Sequence, residues 1–306
     1  MIKRKERIII RKGKKRSLED WVLDSVIFIL LMLIILFTLY PFYYILIITF
    51  NSGADTASGG MYLWPRQFTF ENYSYFLNDP KWLKAFGMSI LRTVVGTTLG
   101  VLFTCLVAYG LARKELMFRK SYFFIIIFAM NFSGGLIAYY VVLRSIGLMN
   151  TFGVYVIPGM LNLFFLLIAI SFFNEIPEEI GESARIDGAS EVSIFIRIML
   201  PVSMPLIATM CLFIGSGHWN SWLDSAYFVQ NENLRTLTYR MMQVINQSMV
   251  ASGASEAANA AMSRTHVTPF SIQATAMVVS ILPILGVYPF LQKHFVSGMM
   301  LGSVKG

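Results

Sequence analysis

The chain has 306 residues, 56% of them hydrophobic and only 14% charged, with a mean hydropathy of +0.62. A water-soluble globule of this size does not carry so apolar a composition, which excludes a soluble enzyme or binding module and defines a membrane protein. The net charge of +8 belongs to basic flanks of apolar runs, so membrane orientation explains it and nucleic acid is not required.

An uncharged run of about 20 residues can cross the hydrocarbon core as a helix. Cutting the chain at its charges predicts an all-α protein with six spans. Residues 1–20 form a basic amino end (Lys3, Arg4, Lys5, Arg7, Arg11, Lys12, Lys14, Lys15, Arg16). The apolar run after it is too long for a secretory signal and has no small-residue cleavage site, so residues 21–50 read as an uncleaved anchoring helix, about 22–49, kinked at Pro41. Residues 51–84 form an outer loop, and 85–292 a core of five spans near 86–112, 121–143, 152–173, 204–228 and 270–291. A short tail, 293–306, follows.

Orientation follows from the basic residues. With both termini inside, the inner face collects the basic amino end, Arg113, Lys114, Arg119, Lys120, Arg185, Arg197, Lys293 and Lys305. The outer face keeps fewer: Arg66, Lys81, Lys84, Arg144, Arg235, Arg240 and Arg264, with Arg92 left inside a span.

The third span carries Asn131, Ser133, Gly134 and Gly135 at its middle, with Tyr139 beyond. Polar groups in hydrocarbon face protein or water, so these residues either line a pathway or bond neighbouring helices, and the glycine pair permits a kink.

Between the fourth and fifth spans lies a charged elbow, residues 174–204. Pro177 suits a first helical turn, and Glu178, Glu179 and Glu182 complement the positive end of a helix opening near Ile176. Gly188 turns the chain, and Asp187 or Ser190 can cap a second helix. In that helix Val192, Phe195, Ile196 and Met199 have the spacing of one apolar face. Pro201 and Pro205 predict a break before the fifth span.

The fifth span contains Trp219-Asn220. An indole beside amide and hydroxyl groups suits a sugar, whose C–H faces pack on rings, but an outer aromatic belt has the same composition. His218 has no neighbouring candidate ligand, so no metal site is expected. The outer segment 229–268 is long for a connector and alanine-rich around 251–261.

Nothing in the chain resembles a phosphate-cradling Gly-x-x-x-x-Gly-Lys-Ser/Thr loop, a His-Glu-x-x-His metal site or a Gly-x-Ser-x-Gly elbow. Cys105 and Cys211 both fall in predicted spans and make no disulfide framework. Catalysis by this chain is not expected.

The elbow carries a specific resemblance. Glu182-Ser183-Ala184, then Gly188, Ile198 and Leu200-Pro201 resembles the EAA loop of permease subunits in type I ATP-binding-cassette importers, with Ser183 where that family usually has Ala. Weaker likenesses lie at Phe68 to Tyr73, Ala108 to Arg113 and Gly147 to Thr151, while Ala138 stands where Pro is common. Trp219-Asn220 and the small-residue tail are similar to the carbohydrate branch, of the maltose-importer kind. The resemblance implies a six-span permease in a bacterial cell membrane that forms half of a pathway for sugars, oligosaccharides in particular. It implies a homologous second permease subunit, giving a heterodimer, and an extracytoplasmic solute-binding protein that the 229–268 loop can touch. Two cytoplasmic ATPase subunits would use ATP and Mg, with no cofactor on this chain.

Residues placed at the ATPase contact by the resemblance are Glu178, Glu179, Glu182, Ser183, Ala184, Arg185, Asp187, Gly188, Ile198, Leu200 and Pro201. Those placed along the substrate pathway are Asn131, Ser133, Gly134, Tyr139, Trp219 and Asn220. The competing readings are a permease for a non-sugar solute, an ion-coupled secondary transporter and a membrane-embedded enzyme. The second needs paired ionisable groups or half-helices at the midplane and has no use for an ATPase dock.

Overall fold

The computed structural model describes residues 18–252 and 267–302. The basic amino end before Leu18, residues 253–266 of the long loop and the last residues 303–306 lie outside the described residues. Among the described residues the protein is helical, with one isolated bridge between Asn51 and Phe68 and no sheet.

Helix α1 (Leu18–Thr49) continues past Pro41 without a break, followed by the short α2 (Gly53–Ala57) and α3 (Glu71–Asn78). Helix α4 (Pro80–Ala112) begins before the expected residue 86. Asp79 caps it by accepting from the Lys81 amide, and Pro80 occupies the first turn, where no amide donor is needed. Helices α1, α4 and the Pro269–Val287 part of α15 (Pro269–Gly302) are long and apolar enough to cross a membrane. Helix α15 extends past the expected end of the sixth span at residue 291, so most of the segment expected as a tail is helix.

The other expected spans are not continuous. The third is broken into α5 (Arg119–Asn131) and α6 (Gly135–Ser145), bent by 116°. Gly135 sits at φ +76°, a left-handed conformation that only glycine adopts freely, so the kink expected at the glycine pair is a sharp corner. The fourth reduces to α7 (Gly153–Val156) and α8 (Leu163–Glu175), separated at Pro158-Gly159 and restarted by Asn162, whose side chain accepts from the Phe165 amide. The fifth ends at Asn220: α12 (Met204–Asn220) stops there, α13 (Leu223–Phe228) is a separate turn, and α14 (Leu237–Ser252) follows within the 229–268 segment. The break expected at Pro201 and Pro205 is present as an 81° bend before α12.

Helix α4 is the centre of the bundle, packed against both α8 and α12. Its buried Gly96, Gly100, Thr104 and Ala108 recur every fourth residue, a strip of small side chains that lets neighbouring helices approach closely. At Gly100 an added methyl would touch Ile214 and the carbonyls of Gly159 and Met160. At Gly96 it would lie 2.6 Å from His218 Nε2, so the His218 ring occupies the space the glycine leaves open. Around this strip Cys105, Leu166, Ala169, Ile170, Ile194 and Met210 form the main core. Toward the Pro80 end, Arg92 is buried, donates to the Ser221 carbonyl at 3.1 Å, pairs with Asp224 and lies over the Tyr155 ring at 4.6 Å.

Candidate functional site

The elbow begins with α9 (Glu178–Ile186), for which Pro177 serves as the N-cap and not as a first-turn residue. Glu178 and Glu179 lie in its first turn and Arg185 in its last, the arrangement that complements the helix dipole at both ends. It ends in a paired-amide turn. Gly188, at φ +79°, donates to the Arg185 carbonyl at 3.0 Å while Ala189 donates to that of Ala184 at 2.9 Å. Ser190 then caps α10 (Glu191–Ile194) by accepting from the Ser193 amide, which leaves Asp187 as the C-cap of α9.

The second helix departs from the expected apolar face. A π-helical stretch, Phe195–Met199, joins α10 to α11 (Leu200–Val202) and shifts the register, so that Ile194, Phe195 and Met199 are buried. Val192 and Ile196 are 65% and 54% exposed, contrary to the spacing argument, because a wider turn rotates residues away from their 3.6-residue positions. Ile186, at 86%, is the most exposed large apolar side chain on the elbow.

Glu191 fastens the elbow to the core. Its carboxylate accepts from the Tyr109 hydroxyl at 2.7 Å and from Arg185 Nε at 2.8 Å, and it pairs with Arg113. Tyr109 lies near the Ala112 end of α4 and Arg113 is that helix's C-cap, so an acid at the start of α10 is held by the bundle's central helix and by α9 at once. None of Tyr109, Arg113 or Glu191 stands among the residues expected at the ATPase contact. The signal available was a Tyr and an Arg four apart on one helix face, with an acid directly after a capping serine. The Tyr109 hydrogen bond, and after it Arg185, holds the Glu191 carboxyl below the usual carboxylate range against partial burial. A depressed value means the clasp contributes above the ordinary carboxylate pKa and is lost as pH falls through the lowered one. Glu191→Gln should therefore cut transport several-fold at neutral pH and flatten its decline on acidification, measured as ATP-driven uptake against pH.

The expected contact residues divide by burial. Ala184 is buried in the core, and Ile198 and Leu200 pack partly against it. Glu178, Glu179, Glu182, Ser183, Arg185, Asp187, Gly188 and Pro201 are exposed. Glu178 pairs with Lys114 at 2.6 Å and Ser183 donates to the Glu179 carbonyl, both at the surface.

Of the expected pathway residues, Asn131, Ser133, Gly134 and Tyr139 gather at the α5–α6 corner and are exposed on this chain. Asn131 donates to its own helix at Ile127, Ser133 accepts from the Gly135 amide, and Tyr139 packs edge-on against Phe228. Trp219 lies elsewhere. It is buried among Phe76, Trp82, Leu237 and Ala276, and its indole N–H donates to the Ser280 carbonyl at 3.1 Å, while Asn220 beside it is exposed. Among the described residues no group of His, Cys, Asp and Glu is arranged to hold a metal ion.

The described residues thus form an apolar helical bundle with one polar elbow clasped to its central helix. Residues 96–300 match the family of binding-protein-dependent transport system inner membrane components, and the chain belongs to that family, the permeases of ATP-binding-cassette importers. It is 38% identical over 269 residues to protein LplC of Bacillus subtilis (strain 168), covering 88% of this chain and 90% of that one. It is 32% identical over 289 residues to the polygalacturonan/rhamnogalacturonan transport system permease protein YtcP of the same organism, covering 94% and 100%. Its fold matches a chain of a bacterial ABC transporter involved in the import of the acidic polysaccharide alginate, with a TM-score of 0.82, 27% identity and coverage of 92% and 100%.

Proposed function

We propose that this chain imports oligosaccharides in the cytoplasmic membrane of a bacterium, as half of a pathway completed by a homologous second permease. The observation that carries the reading is the Glu191 clasp, which ties an exposed helix to the bundle's central helix. A force applied to α9 is thereby delivered to α4. In this reading both termini and the elbow face the cytoplasm, where two ATPase subunits bind α9 and consume ATP with Mg. The uncovered Ile186, Val192 and Ile196 supply apolar contact there, and the exposed acids Glu179 and Glu182 offer partners to basic groups. ATP favours the closed ATPase pair because it binds that state better, and the elbow passes this preference to the spans.

The sugar assignment is supported by the saccharides named for YtcP and for the alginate transporter. A solute-binding protein delivers the substrate from outside, aided by the 229–268 loop, part of which lies outside the described residues. Asn131, Ser133, Gly134, Tyr139 and Asn220 then offer polar and aromatic surface to the passing sugar once the second permease closes over them, with Trp219 supporting Asn220 from behind. The assembled complex in proteoliposomes, given its binding protein and labelled oligosaccharides, should take them up only with ATP and should ignore an uncoupler. Uptake driven by an ion gradient without ATP overturns the coupling, and a binding protein that retains only non-sugar solutes overturns the substrate class.

A further inference from the structure

The loop after α1 shows a fixed apolar surface that transport does not explain. Met61 is buried with Ile47, Ile48 and Ala274, yet the next three residues, Tyr62, Leu63 and Trp64, are 66%, 69% and 76% exposed. This loop is braced at several points. Arg66 bonds the Asp55 carboxylate at 3.0 Å and the Gly59 carbonyl at 2.7 Å, and the Gln67 amide donates to the Asn51 side chain. Two contacts fix it to α1 itself: Tyr43 donates to the Leu63 carbonyl at 2.8 Å and Tyr40 to that of Tyr62 at 3.2 Å. Leaving a large aromatic uncovered on a braced loop calls for a partner.

Geometry identifies the partner. On this chain α1 is exposed along its apolar length, none of its most apolar stretch being buried against the rest of the bundle. At about 1.5 Å per residue, the helix climbs roughly 30 Å from Trp21 to Tyr40, close to the ~30 Å hydrocarbon thickness. Trp21 is 59% exposed at one end, and at the other Tyr40 and Tyr43 hold the backbone of Tyr62 and Leu63, the residues that directly precede Trp64. Tryptophan and tyrosine prefer this headgroup level, where an apolar ring and a polar tip are both satisfied.

We infer that Tyr62, Leu63 and Trp64 form a lipid-binding foot that rests in the outer headgroup layer and sets the depth of α1 in the bilayer. The occupant is the lipid interface, continuous with the uncovered surface of α1, and not a second protein. Tyr40 and Tyr43 donate to loop carbonyls and so are positioning residues for the foot.

The test is tryptophan quenching in the assembled complex, in nanodiscs whose acyl chains carry bromine either near the headgroups or near the bilayer centre. Subtracting the emission of Trp64→Phe from that of the unaltered complex isolates Trp64 from the other tryptophans, and Trp64→Tyr gives a second subtraction if the first variant assembles poorly. Trp64 emission should lose most of its intensity to the shallow bromines and little to the deep ones. Equal emission in brominated and ordinary lipid overturns the inference, because Trp64 is then covered by the second permease or the binding protein. Stronger quenching by the deep bromines overturns it too, by placing Trp64 inside the hydrocarbon. No transported solute is needed, so this result stands apart from the proposed substrate.

Discussion

Gly188→Pro is expected to abolish ATP-driven uptake while leaving the membrane helices inserted. Gly188 holds φ at +79° and donates its amide to Arg185. Proline fixes φ near −65° and has no amide hydrogen, so it can adopt neither feature. The turn between α9 and α10 must then open, carrying Glu191 away from Arg185. Gly188→Ala separates strain from space: an added methyl meets nothing within 4 Å, so only the left-handed backbone penalty of roughly 1–2 kcal/mol acts. Uptake and substrate-stimulated ATP hydrolysis, measured together, should fall modestly with alanine and vanish with proline. Full coupling in the proline variant would remove the elbow from the mechanism.

The largest effect on stability is expected at Asp224. Arg92 is 2% exposed and meets Asp224 as its only carboxylate among the described contacts, with Ser221 and the Tyr155 ring as its other neighbours. Removing one member of a buried ion pair typically costs about 3–5 kcal/mol, because the remaining charge has lost its partner in a medium that cannot solvate it. Asp224 keeps a side-chain exposure of 31%, which puts the expected loss at the lower end. Since folded proteins hold roughly 5–15 kcal/mol in reserve, Asp224→Ala should lower the melting temperature of the purified complex and its yield. Arg92→Leu with Asp224→Leu should recover much of both, since a matched apolar pair leaves no buried charge. A double variant no better than the single one would assign the loss to packing.

Much of this architecture was legible in the sequence because it rests on local chemistry. Long uncharged runs gave the helices, and Gly188 and Ser190 marked the elbow's turn and second cap, while Pro177, expected in the first turn, is one position earlier as the N-cap. The glycine pair, and Pro201 with Pro205, marked bends in the right places, and Asp79-Pro80 carried a start signal for α4 that the charge-based cut at Lys84 overrode. What was not legible depends on geometry that averaged hydropathy does not contain. A run such as 121–143 scores as one span whether or not Gly135 turns the chain by more than a right angle. The apolar spacing of Val192 and Ile196 assumed a regular helix, and the π-helical stretch invalidated it. The Glu191 clasp joins residues 82 apart, and Trp219 is buried by helices far away in sequence, so neither position follows from its neighbours.

The strip of small residues on α4 has a mechanical consequence. Where Gly96 and Gly100 lie bare, the ring of His218 and the side chain of Ile214 seat directly on backbone, as a key seats in a slot. Such a joint resists sliding and rotation alike, so α4 and α12 are expected to move together. Any rearrangement during a transport cycle is then concentrated at the corners made by Gly135, Pro158 and Ser203, which serve as the joints of an otherwise stiff frame.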